Sequence, residues 1–154
     1  MEIERKYLIE KNQIPFDHTQ YPCHKIEQAY LNTAPVVRVR RDNEDYILTY
    51  KSSGLMAREE YNLPLTKESY NHLKAKADGR IISKKRYVIP LKDEINISGL
   101  NIELDIFEND LAPLILAEVE FPDEAAANSF TPPGWFGEDV TFSPEYHNSV
   151  MSRV

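Results

Sequence analysis

Polar and apolar side chains alternate with a period of two along most of this chain. That period marks strands whose two faces meet different surroundings. The opening run, residues 1–9, puts Glu2, Glu4 and Lys6 on one face and Ile3, Arg5 and Tyr7 on the other. The same alternation predicts strands over 25–32, 36–41 and 46–51, the last two joined by the polar turn Asp42-Asn43-Glu44-Asp45 and therefore antiparallel. Four more are expected over 57–65, 80–91, 101–107 and 114–121. Between the fifth and sixth, Thr66 is a helix cap and Ser69 stands where Glu or Gln would complete a capping box. Tyr70, Leu73 and Ala77 form that helix's apolar stripe, and Gly79 marks its limit. Short helices over 123–130 and near Tyr146 complete the set, and no repeat or linker divides residues 1–154, so they form a single domain.

Charge and composition narrow the function. Asp and Glu number 25 against 18 Lys and Arg, a net charge of −7, so the chain lacks the basic field of a nucleic-acid binder. Any anion site must be local. No apolar run reaches membrane-spanning length, and no signal-peptide pattern is present. The single cysteine, Cys23, permits neither an intrachain disulfide nor a zinc cluster. A cytoplasmic protein with no membrane association is the expectation.

The charges are not scattered. Lys6, Arg38, Arg40, Lys51, Lys84 and Arg86, with Glu2, Glu4, Glu60, Glu103, Asp105, Glu118 and Glu120, fall on single faces of seven strands. For one strand, a solvated sheet face accounts for such a pattern. Recurrence on strand after strand, with few neutral polar residues between, strains that account. Eight antiparallel strands suffice to close a barrel. Closure gathers the charges into one interior, where opposite charges, water, a hard cation and a polyanion together neutralise them. The predicted fold is mainly β, within the α+β class: a closed eight-stranded antiparallel barrel forming a tunnel for a phosphate chain, with a few short helices outside.

Glu2-Ile3-Glu4-Arg5-Lys6 resembles the ExExK signature of the CYTH domain, the triphosphate tunnel metalloenzyme superfamily. The resemblance extends through Arg38-Val39-Arg40, Lys51, Arg58-Glu59-Glu60, Lys84-Lys85-Arg86, Glu103-Leu104-Asp105 and Glu118-Val119-Glu120 into the tail around Trp135 and Tyr146. It implies that basic residues grip a triphosphate while acids hold Mg²⁺ or Mn²⁺. Glu2, Glu4 and Glu120 would be metal ligands; Arg38, Arg40 and Arg86 suit forked phosphate contacts; Lys6, Lys51 and Lys84 suit point-charge contacts. Glu103, Asp105 and Glu118 are either further metal ligands or partners that position the cations. Glu60 either orients the attacking water or forms a structural ion pair.

Two positions depart from the family pattern. Asn62 stands where members often carry another acid, and Glu145 where many carry a base before the tail tyrosine. The branch most resembled is bacterial tripolyphosphatase. This implies a small-molecule substrate (tripolyphosphate, ATP or thiamine triphosphate), metal-dependent hydrolysis, and a monomer or homodimer. The alternatives are a class IV-type adenylate cyclase, a thiamine triphosphatase, or a non-catalytic polyphosphate-binding module. His18, His24, His72 and His147 lack metal-ligand spacing and read as surface or packing residues, and Arg5 and Lys85 as solvated.

Overall fold

The structure, a computed structural model, describes residues 1–153. Nine strands form: β1 (Glu2–Leu8), β2 (Cys23–Thr33), β3 (Val36–Asp42), β4 (Asp45–Lys51), β5 (Ala57–Arg58), β6 (Glu60–Pro64), β7 (Asp78–Pro90), β8 (Asn101–Phe107) and β9 (Ile115–Glu120). Three α-helices accompany them: α1 (Lys67–Lys74), α2 (Glu124–Asn128) and α3 (Asn148–Met151). All strand pairs are antiparallel, in the order β5-β1-β9-β8-β7-β2-β3-β4-β6.

The two ends of that order are one stretch of chain. β5 pairs with β1 and β6 with β4, and only Glu59 separates them. The expected fifth strand therefore serves two neighbours in turn and brings the barrel close to closure. Its break at Glu59 has a local cause, because the Glu59 carbonyl accepts from Ser52 N–H and its own N–H donates to the Ser52 hydroxyl. Nine strand segments thus occupy the eight expected positions.

The apolar core lies outside the barrel wall. Ile3, Tyr7, Leu104, Val119 and Phe121 point outward from β1, β8 and β9 and pack against Ala127 of α2, Phe130, Trp135 and Phe136. α1 starts at a complete capping box, with Thr66 accepting from Ser69 N–H and the Ser69 side chain serving the Thr66 backbone in return. It buries Tyr70 against Ala29 and Val39 on the outer face of β2 and β3. Burying each such side chain fully is worth about 1.5–3 kcal/mol. At one end of the barrel the inward row becomes apolar: Val36, Ile82, Phe107 and Leu116 meet Val140 and Met151 of α3. No helix among the described residues is long and apolar enough to cross a membrane.

Arg5 is not solvated as expected. It clamps the tail to β1, donating from Nη1 to the Ala127 carbonyl at 2.7 Å and from Nε to the Thr141 hydroxyl at 3.3 Å, and pairing with Asp139.

Candidate active site

The strand register decides which charges face one another. β3 and β9 sit on opposite sides of the ring, so Arg38 and Arg40 look across at Glu118 and Glu120. β1 lies beside β9, with Glu4 paired to Glu120 and Lys6 to Glu118. Between these walls is a cavity of about 150 Å³ lined almost wholly by charged and polar side chains. Of the predicted residues it gathers Glu2, Glu4, Lys6, Arg38, Arg40, Lys51, Glu60, Arg86, Glu103, Glu118 and Glu120.

Lys84 and Asp105 do not line it. They are 1% and 0% exposed and joined at 2.7 Å in the wall behind. Asp105 also receives Arg86, with Nε to Oδ1 at 2.7 Å and Nη2 to Oδ2 at 2.9 Å. Burial opposes its ionisation, but Arg86 and Lys84 hold it below the usual carboxylate range. Arg86 reaches further, to Glu103 at 2.6 Å and Glu118 at 3.4 Å.

Lys51 bridges Glu2 at 2.8 Å and Glu60 at 3.2 Å, while Lys6 meets Glu118 at 3.5 Å and donates to the Tyr146 carbonyl at 3.0 Å. Burial resists the ionised form of Glu60, but its hydrogen bonds and Lys51 bring the carboxyl down to about 2. Asn62, the departure from the acid often found at this position, donates to Glu60 at 2.8 Å and accepts from the Thr49 hydroxyl at 2.6 Å. It therefore orients the acid it follows. Glu145 is exposed.

What remains unpaired is instructive. Arg38 and Arg40 have no carboxylate partner among the described residues, and the Nε atom of each is buried without a hydrogen-bond partner. Burial, then Arg38 and Arg86, push the Arg40 guanidinium down to about 10. The opposite wall has the opposite excess. Burial, then Glu118 and Glu2, push the Glu4 carboxyl up to about 8, and burial with Glu2, Glu103 and Glu60 raises Glu120. One wall therefore carries guanidinium in excess and the other carboxylate in excess.

No three His, Cys, Asp or Glu side chains among the described residues converge in ready metal-ligating geometry. The mutual repulsion of the Glu4, Glu120, Glu2 and Glu118 carboxylates nevertheless fits a hard divalent cation, which takes oxygen ligands and cancels such repulsion.

Further lining residues have no site role assigned from the sequence, although Arg58 falls within the family-like Arg58-Glu59-Glu60 run. Arg58 enters from β5, Tyr30 from β2, and Asn148 and Ser149 from α3. Arg58 was legible, since it shares a face with Glu60; Tyr30 carries no charge, and α3 has no strand period. His24 lies on β2 beside Arg86 of β7 and holds Asp42 at 2.7 Å. His147 is buried, and desolvation with Lys6, Arg58 and Lys51 pushes it down to about 4.

Known proteins share this arrangement. The chain matches the CYTH domain over residues 1–145. It is 36% identical over 154 residues to an inorganic triphosphatase of Nitrosomonas europaea, covering 98% of this chain and 96% of the relative. It is also 36% identical over 120 residues to an inorganic triphosphatase of Acetivibrio thermocellus, covering 76% and 71%. The crystal structure of the inorganic triphosphatase NE1496 superposes with a TM-score of 0.72 at 34% identity, over 100% of this chain and 95% of that one. A Pyrococcus furiosus protein shares the fold alone, at a TM-score of 0.63 and 17% identity. With its charged barrel interior and a match spanning nearly its whole length, the chain belongs to the CYTH domain family.

Proposed function

We propose that this protein is a divalent-metal-dependent hydrolase of inorganic tripolyphosphate, releasing orthophosphate and pyrophosphate by adding one water across a terminal phosphoanhydride. The observation that carries this reading is the polarised cavity, with unpaired Arg38 and Arg40 facing unpaired Glu4 and Glu120. A phosphate chain would supply anions to the first wall, and a divalent cation held by Glu2, Glu4 and Glu120 would relieve the second. The names of the two curated relatives support the same substrate. The polar lining and small volume favour a bare phosphate chain over one carrying a bulky organic group.

The residues divide the work. Arg38 and Arg40 take phosphate oxygens in forked contacts, while Lys6, Lys51 and Arg86, whose guanidinium is already held by Asp105, Glu103 and Glu118, add positive charge. Holding the chain extended and neutralised supplies most of what phosphoryl transfer needs. Glu2, Glu4 and Glu120, with Glu103 and Glu118 at the margin, are the side chains that would hold Mg²⁺ or Mn²⁺. That ion supplies charge neutralisation and a lowered pKa for water. Glu60, ionised and fixed by Asn62 and Lys51, is placed to accept a hydrogen bond from the attacking water. Lys84 and Asp105 act from behind, holding Arg86 in place.

The test is product analysis with Mg²⁺ or Mn²⁺, offering tripolyphosphate, ATP and thiamine triphosphate in parallel. Orthophosphate released fastest from tripolyphosphate, and abolished by Glu4→Gln, is the expected result. Cyclic AMP and pyrophosphate from ATP, or binding with no product, would overturn it.

A further inference from the structure

Gln28 is fully buried, and neither its amide nitrogen nor its amide oxygen has a hydrogen-bond partner. Among the described residues it is the only side chain with two separate polar atoms stranded in this way. It sits in the middle of β2 facing the barrel interior, between Ile82 of β7 and Arg40 of β3. Its neighbours in the wall are apolar on one side and guanidinium on the other. A leucine or methionine would fill the same space without desolvating an amide, so the glutamine costs this fold stability as it stands.

The register partner Arg40 carries the complementary deficit. Its Nε–H is buried without an acceptor, and Gln28 offers an unused amide oxygen. Side chains directly opposite across an antiparallel pair have Cβ atoms about 4.5–5.5 Å apart, within reach of both long side chains. Arg40 is crowded by the like charges of Arg38 and Arg86. An anion held among the three guanidiniums cancels that repulsion and leaves Arg40 free to settle where its Nε–H meets an acceptor.

We infer that Gln28 is a positioning residue that, through its amide oxygen, fixes the Arg40 guanidinium against the bound phosphate chain. The amide is stranded in the free protein because its work is done in the complex. Resting on the triphosphatase reading, this inference identifies how one phosphate-gripping arginine is aimed. Gln28 itself touches no phosphate, since it lies outside the lining of the cavity.

The experiment compares wild type, Gln28→Met, Arg40→Lys and the double variant. Each is measured for melting temperature with and without tripolyphosphate, and for kcat and KM on tripolyphosphate. Met matches the volume of Gln and removes both stranded groups. The inference expects Gln28→Met to melt at or above the wild-type temperature without tripolyphosphate, yet to gain less from adding it. Its kcat/KM should fall about tenfold, the scale of one lost hydrogen bond to a charged group. Lys has no Nε–H in that position, so the double variant should be no worse than Arg40→Lys alone.

A Gln28→Met protein that melts several degrees lower with kcat/KM within about twofold of wild type would make the amide structural and overturn the inference. Multiplicative losses in the double variant would overturn it too, whatever the melting temperatures. The inference fails separately from the function on which it rests. Wild type that is stabilised by tripolyphosphate without hydrolysing it defeats the hydrolase reading, while the melting comparison still judges Gln28. Wild type that neither binds nor hydrolyses tripolyphosphate defeats both.

Discussion

Replacing Asp105 with Asn tests whether that acid is a metal ligand or the keystone of the wall. Asp105 is 0% exposed and accepts from Lys84 at 2.7 Å and from Arg86 at 2.7 and 2.9 Å. Asparagine keeps the shape but removes the charge, leaving two buried cations short of their shared partner. Breaking a buried ion pair from one side costs about 3–5 kcal/mol. At about 2–4 °C per kcal/mol for a chain of this length, melting should fall by roughly 6–20 °C. Lys84 can limit the loss by shedding its proton. Burial already pushes it from 10.5 down to about 8 against the pull of Asp105, and without that acid it must go lower.

The sign of the pH dependence follows. Between the folded and unfolded values of Lys84 the unfolded chain binds more protons, so stability rises with pH across that window. In wild type the rise belongs to about pH 8 to 10.5; in Asp105→Asn it starts at lower pH and narrows the deficit as pH increases. Thermal and urea melts from pH 6 to 10 measure both effects. A variant that melts within about 2 °C of wild type while needing far more Mg²⁺ for turnover would refute the wall role and make Asp105 a ligand.

Replacing Arg38 with Met should separate stability from function, since Arg38 is 5% exposed with no carboxylate partner. Melting should fall only modestly, because burial opposes the Arg38 cation but Tyr30, Glu2 and Glu60 outweigh it, while kcat/KM on tripolyphosphate falls about 10²- to 10⁴-fold, the worth of two charge-assisted hydrogen bonds at about 1.5–3 kcal/mol each. Arg5→Ala should cost about 1–2 kcal/mol in a urea melt at pH 7, discounted because Asp139 is 38% exposed. Burial raises Asp139, but Thr141 and then Arg5 outweigh it and hold the carboxyl below its ordinary 3.8. The Arg5–Asp139 contribution is therefore present above about pH 3.8 and lost as pH falls through the lower folded value, so the gap between the two melting temperatures should narrow there to what the Ala127 and Thr141 hydrogen bonds supply.

How much of this was legible in the sequence depended on what period two encodes. It reports the face of a side chain, and here the inward face was assigned correctly from Glu2 to Glu120, with β8 matching residue for residue. It does not report height along the barrel. Lys84 and Arg86 have the same parity, yet one is walled in behind the cavity and the other lines it. The break at Glu59 was equally hidden, because alternation runs through it and only the change of neighbour, from β1 to β4, interrupts the ladder. Arg5 read as solvated because its partners Ala127, Asp139 and Thr141 lie more than a hundred residues away. His24 falls outside the strand expected over 25–32 because β2 begins two residues earlier than its apolar pattern.

The inverted placement of core and charge explains how such an interior is tolerated. A barrel lined with apolar side chains would stabilise itself; this one must be held from outside, by α1, α2 and the tail packing onto its outer face. That arrangement, with the apolar row at one end and the Asp105 ion pairs, leaves the cavity-lining charges little duty to stability. Lys51, Lys6 and Arg86 are pinned by acids and set the frame, whereas Arg38, Arg40, Glu4 and Glu120 are left in surplus. Surplus charges fixed in a small desolvated space interact with an arriving phosphate chain more strongly than the same charges in water, and they need little reorganisation to do so. The repulsion and burial that disfavour the charged forms of Arg40, Glu4 and Glu120 are what an arriving phosphate chain and cation would relieve, which is why these residues are expected to bind.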